Sequence, residues 1–218
     1  MPSSADDPIA ETPAEPLRGS ALVKQMGLLR LLAEDFRAHR KEITRPGLWA
    51  VMVYRWGTWA QTLRPRPLKW FMLLFYVIGQ RFVRNVFGIE IERTVHIGRR
   101  FHVGHQSAIV IHKFARIGDD VIVRQNVTFG MGAEWDNDGW PTIGNRVEFS
   151  PGAVVIGNVT IGDDVSIGPN CVISKDVPAG RTLFVPPPRA FPKSVSAQPT
   201  DAAPPSQTPA TEKQAKET

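Results

Sequence analysis

Four of the five histidines fall between positions 96 and 112, at His96, His102, His105 and His112. Imidazole titrates near neutrality, so one such side chain beside a hydroxyl can take its proton as the oxygen attacks an electrophile. Three imidazoles converging on one point would instead hold a zinc ion and leave a coordination position open. A third reading makes them surface residues at turns. The spacing suits one base with the other three incidental better than a metal site, and no metal is expected.

What must position these side chains is a repeat. Branched or aromatic residues recur at Ile97, Val103, Ile111, Ile117, Val123, Phe129, Ile143, Phe149, Val155, Ile161, Ile167 and Ile173, and many of them are followed by Gly. A smaller residue follows four places later, as at Ala115, Val121, Val127, Val147, Ala153, Val159, Val165, Cys171 and Val177. A period of six matches neither a helix nor an alternating strand, and it is the signature of a hexapeptide β-helix. The fold class expected is therefore a left-handed parallel β-helix, three hexads to a coil, behind a small N-terminal α-helical domain. Gly after the inward residue is expected to ease the turn at each corner.

The repeat breaks twice, and a regular scaffold does chemistry where it is interrupted. From Val103 to Ile111 the step is eight, through Gly104-His105-Gln106-Ser107. From Phe129 to Ile143 it is fourteen, so Gly130 to Pro141 must leave the prism as a loop.

The rest of the chain supplies context. Net charge is +5 with a pI near 9.7, yet no basic run with interleaved aromatics appears, so no nucleic-acid partner is expected. The single cysteine, Cys171, sits at an inward position and excludes a disulfide framework. Without a basic start and apolar core the N-terminus does not resemble a secretory signal, and a cytoplasmic protein is expected. Residues 1–19 read as disordered, 20–89 as the helical domain, 90–180 as the β-helix, 181–193 as a C-terminal extension and 194–218 as a disordered tail.

Within the helical domain, one amphipathic helix is expected from Ser20 to about Ile43 and a second from Leu48 to about Leu63. The third segment, Trp70 to Phe87, opens on nine consecutive apolar residues before Gln80, Arg81 and Arg84 intervene. A bilayer span needs roughly 18 apolar residues. Burial in the helical subdomain or at a subunit interface is therefore expected. A membrane-surface helix is the alternative, which Trp70 with Lys69, Arg81 and Arg84 would suit.

The run Glu90-Ile-Glu-Arg-Thr-Val-His-Ile97-Gly98-Arg-Arg-Phe-His-Val103-Gly104-His105 resembles the start of the β-helix in bacterial serine acetyltransferases, enzymes of cysteine biosynthesis. Val127-Thr-Phe-Gly130 through Pro141-Thr-Ile143, and upstream Pro46-Gly47-Leu48 with Tyr54-Arg55 and Trp59, are similar to that family as well. The resemblance covers about residues 28 to 190. It implies an acetyl-CoA-dependent O-acetyltransferase in which His105 is the general base and Glu90 the carboxylate that orients it. It also implies a homotrimer, with the helices pairing trimers. Acetyl-CoA would lie in the groove between neighbouring prisms, and Gly130, Gly132, Gly152, Arg189 and Lys193 are the positions nominated for it.

The sequence departs from the family at the acceptor. Glu90 stands where the family usually has Asp, Gly104 replaces the Asp before the base, and Trp140 replaces a loop His that helps hold serine. The family's Asp-Pro pair that contacts the amino acid has no clear counterpart between His39 and Arg45. L-serine is the first acceptor expected. A sugar hydroxyl of a capsule or exopolysaccharide precursor is the alternative, with Trp135 and Trp140 suited to stacking on a sugar ring. A non-catalytic hexapeptide scaffold is the rival from another class.

Overall fold

In the computed structural model, residues 17–131, 139–187 and 189 are described. The chain divides into two units, Met1–Val185 and Pro186–Thr218. In the first unit helices α1 (Gly19–Met26), α2 (Leu28–Ala38), α3 (Pro46–Thr62) and α4 (Arg66–Phe82) precede fourteen short strands. The disorder expected for residues 1–16 and 194–218 lies outside the described residues.

The strands stack into three parallel sheets. Ile89–Ile91, Ile109–Ile111, Thr128–Gly130, Val154–Ile156 and Val172–Ile173 form the first. His96–Ile97, Arg116–Ile117, Thr142–Ile143 and Thr160–Ile161 form the second, and the third runs from His102–Val103 to Thr182–Leu183. Because chain order visits the three sheets in rotation from Ile89 to Ile173, each circuit is one coil of a parallel β-solenoid, matching the left-handed β-helix fold class that the repeat implies. The inward residues are buried throughout and form one continuous core, with Phe129 meeting Phe149 edge-on at 4.8 Å between ring centres.

Register locates both interruptions. Phe129 pairs with Ile111 and Val155 with Ile173, each 18 residues apart, the length of three hexads. Ile89 pairs with Ile109 over 20 residues, which places the two extra residues of the first break at 104–108. Ile117 pairs with Ile143 over 26, so the long loop adds eight and returns in register.

The glycines after the inward residues differ from expectation in their reason. Gly98, Gly118 and Gly144 are not among the glycines with positive φ. They sit beneath a ladder in which Arg99 N–H donates to Asp119 Oδ1 (2.8 Å), Asp119 N–H to Asn145 Oδ1 (2.9 Å) and Asn145 N–H to Asp163 Oδ1 (2.8 Å). A Cβ on Gly118 would stand 2.6 Å from Asn145 Oδ1, so close approach of the next coil demands glycine there. The turn itself is made by the next residues but one, Arg100, Asp120, Arg146 and Asp164, all with φ between 53° and 58°.

Two helical expectations need correction. The helix expected over Ser20 to Ile43 is two helices, because Gly27 (φ 80°) breaks it and the second ends at Ala38. The apolar segment of α4 is not buried in the helical subdomain, since Tyr76 is its one buried residue. The segment continues as a π-turn, Val83–Phe87, and stops at Gly88, which adopts the left-handed conformation (φ 64°).

Candidate active site

The eight-residue step produces an unusual backbone. Ser107 (φ 93°) and Ala108 (φ 51°) are consecutive non-glycine residues in the left-handed region, a conformation that costs energy and persists only where surroundings impose it. Hydrogen bonds from Ile109 N–H to Gly88 O (3.0 Å) and from Asn126 N–H to Ser107 O (3.0 Å) hold the bulge at both ends. His105 is carried outward on this bulge and is exposed.

The N-terminus of α3 lies against it. Gly47 docks so tightly on Val103 that a Cβ would overlap the Val103 carbonyl oxygen. Thr44, Arg45, Pro46 and Gly47 on one side, and Gly104, His105, Gln106 and Gln125 on the other, enclose a cavity of about 560 Å³. Arg45 Nε donates to the carboxylate of Glu42, three residues back, at 2.7 Å. Gln125 Oε1 is buried without a hydrogen-bond partner, an acceptor ready for a ligand donor.

Behind the cavity runs a buried polar strut that sequence reasoning missed. Asp35 and Arg55 form an ion pair, both fully buried, with Arg55 Nε donating to Asp35 Oδ2 at 2.8 Å. Arg55 also donates to Gly98 O (2.6 Å) and Ile97 O (3.3 Å), while the Tyr54 hydroxyl donates to Val95 O (2.7 Å). His39, equally buried, donates from Nδ1 to Asp35 O (2.8 Å) and accepts at Nε2 from the Val103 amide (3.2 Å). Those two bonds fix its neutral tautomer, and burial lowers its pKa. Thus α2 and α3 grip the first coil two residues before His105.

The other histidines take separate places. His102 meets His39 edge-on at 4.6 Å, and burial, assisted by His39, lowers its pKa to about 4. His112 lies beside Phe114, at a different corner of the prism. Among the described residues no group of three or more His, Cys, Asp or Glu is gathered in a way that would hold a metal ion.

Glu90 stands on the strand paired with Val110, just beyond the bulge, but no hydrogen bond joins it to His105. Trp140 packs on Phe114 (5.4 Å between ring centres) at the corner between the first and second sheets, whereas His105 and Gly104 stand at the corner between the third and first. One chain therefore does not bring Trp140 to the cavity. Gly130 and Gly152 are likewise at different corners. Gly152 (φ 75°) makes a turn against Asn170, while a Cβ on Gly130 would meet nothing among the described residues nearer than Thr128 Cγ2 at 3.8 Å. Arg189 is exposed, and Gly132, Trp135 and Lys193 lie outside the described residues.

Comparison with known proteins adds to this geometry. The model of the bacterial transferase hexapeptide family (six repeats) matches residues 141–175. Over 138 residues the chain is 37% identical to a serine acetyltransferase of Helicobacter pylori, covering 61% of this chain and 75% of that protein. Over 135 residues it is 34% identical to the putative colanic acid biosynthesis acetyltransferase WcaB of Escherichia coli, covering 59% and 78%. Among solved structures, serine acetyltransferase isoform 3 of Entamoeba histolytica in complex with cysteine superposes with a TM-score of 0.63 at 29% identity, covering 79% of this chain and 64% of that one. The serine acetyltransferase of Vibrio cholerae gives 0.62 at 25%, with 74% and 64% covered. The chain spans just under two thirds of the length of these two structures.

Proposed function

Because the chain belongs to the serine acetyltransferase family of hexapeptide-repeat transferases, we propose that it transfers the acetyl group of acetyl-CoA to a hydroxyl, with His105 as general base. The observation that carries this reading is His105 itself, held on a strained bulge in the wall of a cavity. Its imidazole takes the hydroxyl proton as the oxygen attacks the thioester carbonyl. The tetrahedral oxyanion collapses, the C–S bond breaks, and the thiolate of CoA recovers the proton from the imidazolium. Glu90 turns to the other ring nitrogen in the assembled site and stabilises that imidazolium. A hydrogen bond absent from the unliganded chain is compatible with this role, since catalytic hydrogen bonds commonly tighten only in the substrate complex.

L-serine is the first acceptor to test, by kinship with the serine acetyltransferases. The cavity favours a second reading, a sugar hydroxyl. Among the described residues no carboxylate lines it to receive an ammonium group, whereas Thr44, Gln106 and Gln125 suit neutral hydroxyls. We further propose a homotrimer, in which the Gly139–Trp140 end of a neighbour's loop closes over the His105 cavity, with the helices pairing trimers. A cytoplasmic location follows from the need for acetyl-CoA.

The deciding experiment is release of CoA thiol from acetyl-CoA with serine and with a panel of sugars and nucleotide sugars. His105→Ala is expected to lose roughly 10²- to 10⁴-fold of the turnover. Glu90→Gln should lose less, and Glu90→Asp should restore part of it. Full turnover in His105→Ala would refute the mechanism, and no turnover with any hydroxyl would favour the scaffold reading.

A further inference from the structure

Helix α4 is amphipathic in the reverse sense for a water-facing element. Tyr76, its one buried residue, marks the inward pole. At 100° per residue, Leu74 and Ile78 lie within about 20° of the opposite pole, and they are 56% and 59% exposed. Trp70, Phe71 and Phe82 flank them at 70%, 54% and 55%. The outermost line of the helix is thus apolar, where a surface helix would carry its charges.

The charges that α4 does carry are all of one sign. Arg66 and Lys69 stand at its start, Arg81 in its last turn and Arg84 in the π-turn that follows, and no Asp or Glu occurs from Arg66 to Phe87. A second copy seated on this face, parallel or antiparallel, would bring four more cations and no carboxylate to meet them. An anionic surface neutralises them in either orientation. The helix spans 17 residues, about 25 Å. No helix among the described residues is long and apolar enough to cross a membrane. A groove of about 270 Å³ runs along one flank, lined by Trp70, Leu73, Leu74, Val77 and Arg93. Arg93 Nε is buried in the chain without a hydrogen-bond partner, and its guanidinium lies over the Tyr76 ring at 5.5 Å.

We propose that α4 is a membrane-surface anchor. It lies in the plane of a bilayer bearing anionic phospholipid, with Leu74 and Ile78 immersed, Trp70 at the interface, and Arg66, Arg81 and Arg84 among the headgroups. The catalytic cavity is formed by other elements, so the anchor does not depend on which acceptor the enzyme uses.

The test is flotation of the full chain with vesicles of phosphatidylcholine alone and with phosphatidylglycerol mixed in, at low and high salt. The protein should float with the anionic vesicles, float much less with the neutral ones, and be released by salt. The double variant Leu74→Glu/Ile78→Glu should partition at least about tenfold less, with its circular dichroism and hydrodynamic size unchanged. Arg81→Ser/Arg84→Ser, which leaves the apolar line intact, should show a weaker loss and a shallower salt dependence. Failure to float with anionic vesicles overturns the proposal. So does a fall in hydrodynamic size in Leu74→Glu/Ile78→Glu, which would make this face a contact between copies of the chain.

Discussion

Replacing Arg55 by leucine removes a guanidinium that makes four hydrogen bonds: two to Asp35, at 2.8 and 3.3 Å, one to Gly98 O at 2.6 Å and one to Ile97 O at 3.3 Å. Both members of the ion pair are fully buried, so the variant leaves the Asp35 carboxylate without its counter-charge in a dry site. Breaking a buried pair from one side costs about 3–5 kcal/mol. For a chain of this length each kcal/mol lowers Tm by about 2–4 °C, so the melting point should fall by roughly 6–20 °C. Asp35→Leu/Arg55→Leu removes both charges and should recover at least half of that loss, because an apolar pair of similar volume replaces the ion pair with little penalty. Thermal melts of the two single variants and the double variant complete a cycle whose coupling should be large and favourable. A loss below about 1 kcal/mol in Arg55→Leu, or a double variant as unstable as the sum of the singles, would refute the reading of this pair as the strut between helices and β-helix.

Two further outcomes follow from the same geometry. Gly118→Ala should destabilise by about 1–3 kcal/mol, because its Cβ meets the next coil. Gly130→Ala, whose Cβ meets Thr128 at ordinary contact distance, should be close to neutral by the same melts, and equal effects at the two sites would contradict the packing account. His102 is held neutral by burial, with a folded pKa of about 4 against about 6.5 unfolded. The unfolded chain therefore binds more protons between these values, so stability is full above pH 6.5 and falls as pH drops through that window. After discounting for partial solvent screening the loss is about 1–2 kcal/mol. His102→Asn should flatten the pH dependence of Tm between pH 6.5 and 4, and an unchanged slope would assign it to other groups.

The β-helix was legible because its determinants are local. Each inward residue declares itself within six positions, and departures from six point to 104–108 and to the long loop, both of which the register bears out. The reason for the glycines was not legible, because it depends on Asp119, Asn145 and Asp163 lying one coil away. The strut was invisible for a related reason. Asp35 and Arg55 stand in helices and His39 just past the end of one, where isolated polar residues read as solvent-facing, and only tertiary contact shows them buried together. Gly27 was passed over because the apolar spacing continues across it. For the site, the sequence places His105 and Trp140 at two interruptions without saying at which corner of the triangle each emerges. Sheet order supplies that, and it separates them within one chain. The α4 face was legible as apolar but not as exposed, since its spacing alone cannot say which pole the core takes.

The long loop leaves after Gly130, and Thr142 resumes pairing with Arg116 behind it and Thr160 ahead of it as though nothing had intervened. Such an excursion is a cassette, fastened at two neighbouring points on a rigid frame. Its length and composition are free to vary without propagating strain into the coils, because the frame reads only where the chain departs and where it returns. On the proposed trimer, in which a neighbour's loop closes over the His105 cavity, acceptor preference is separable from folding. A loop transplanted between relatives, cut at Gly130 and Thr142, should carry its selectivity along while the melting behaviour stays that of the host.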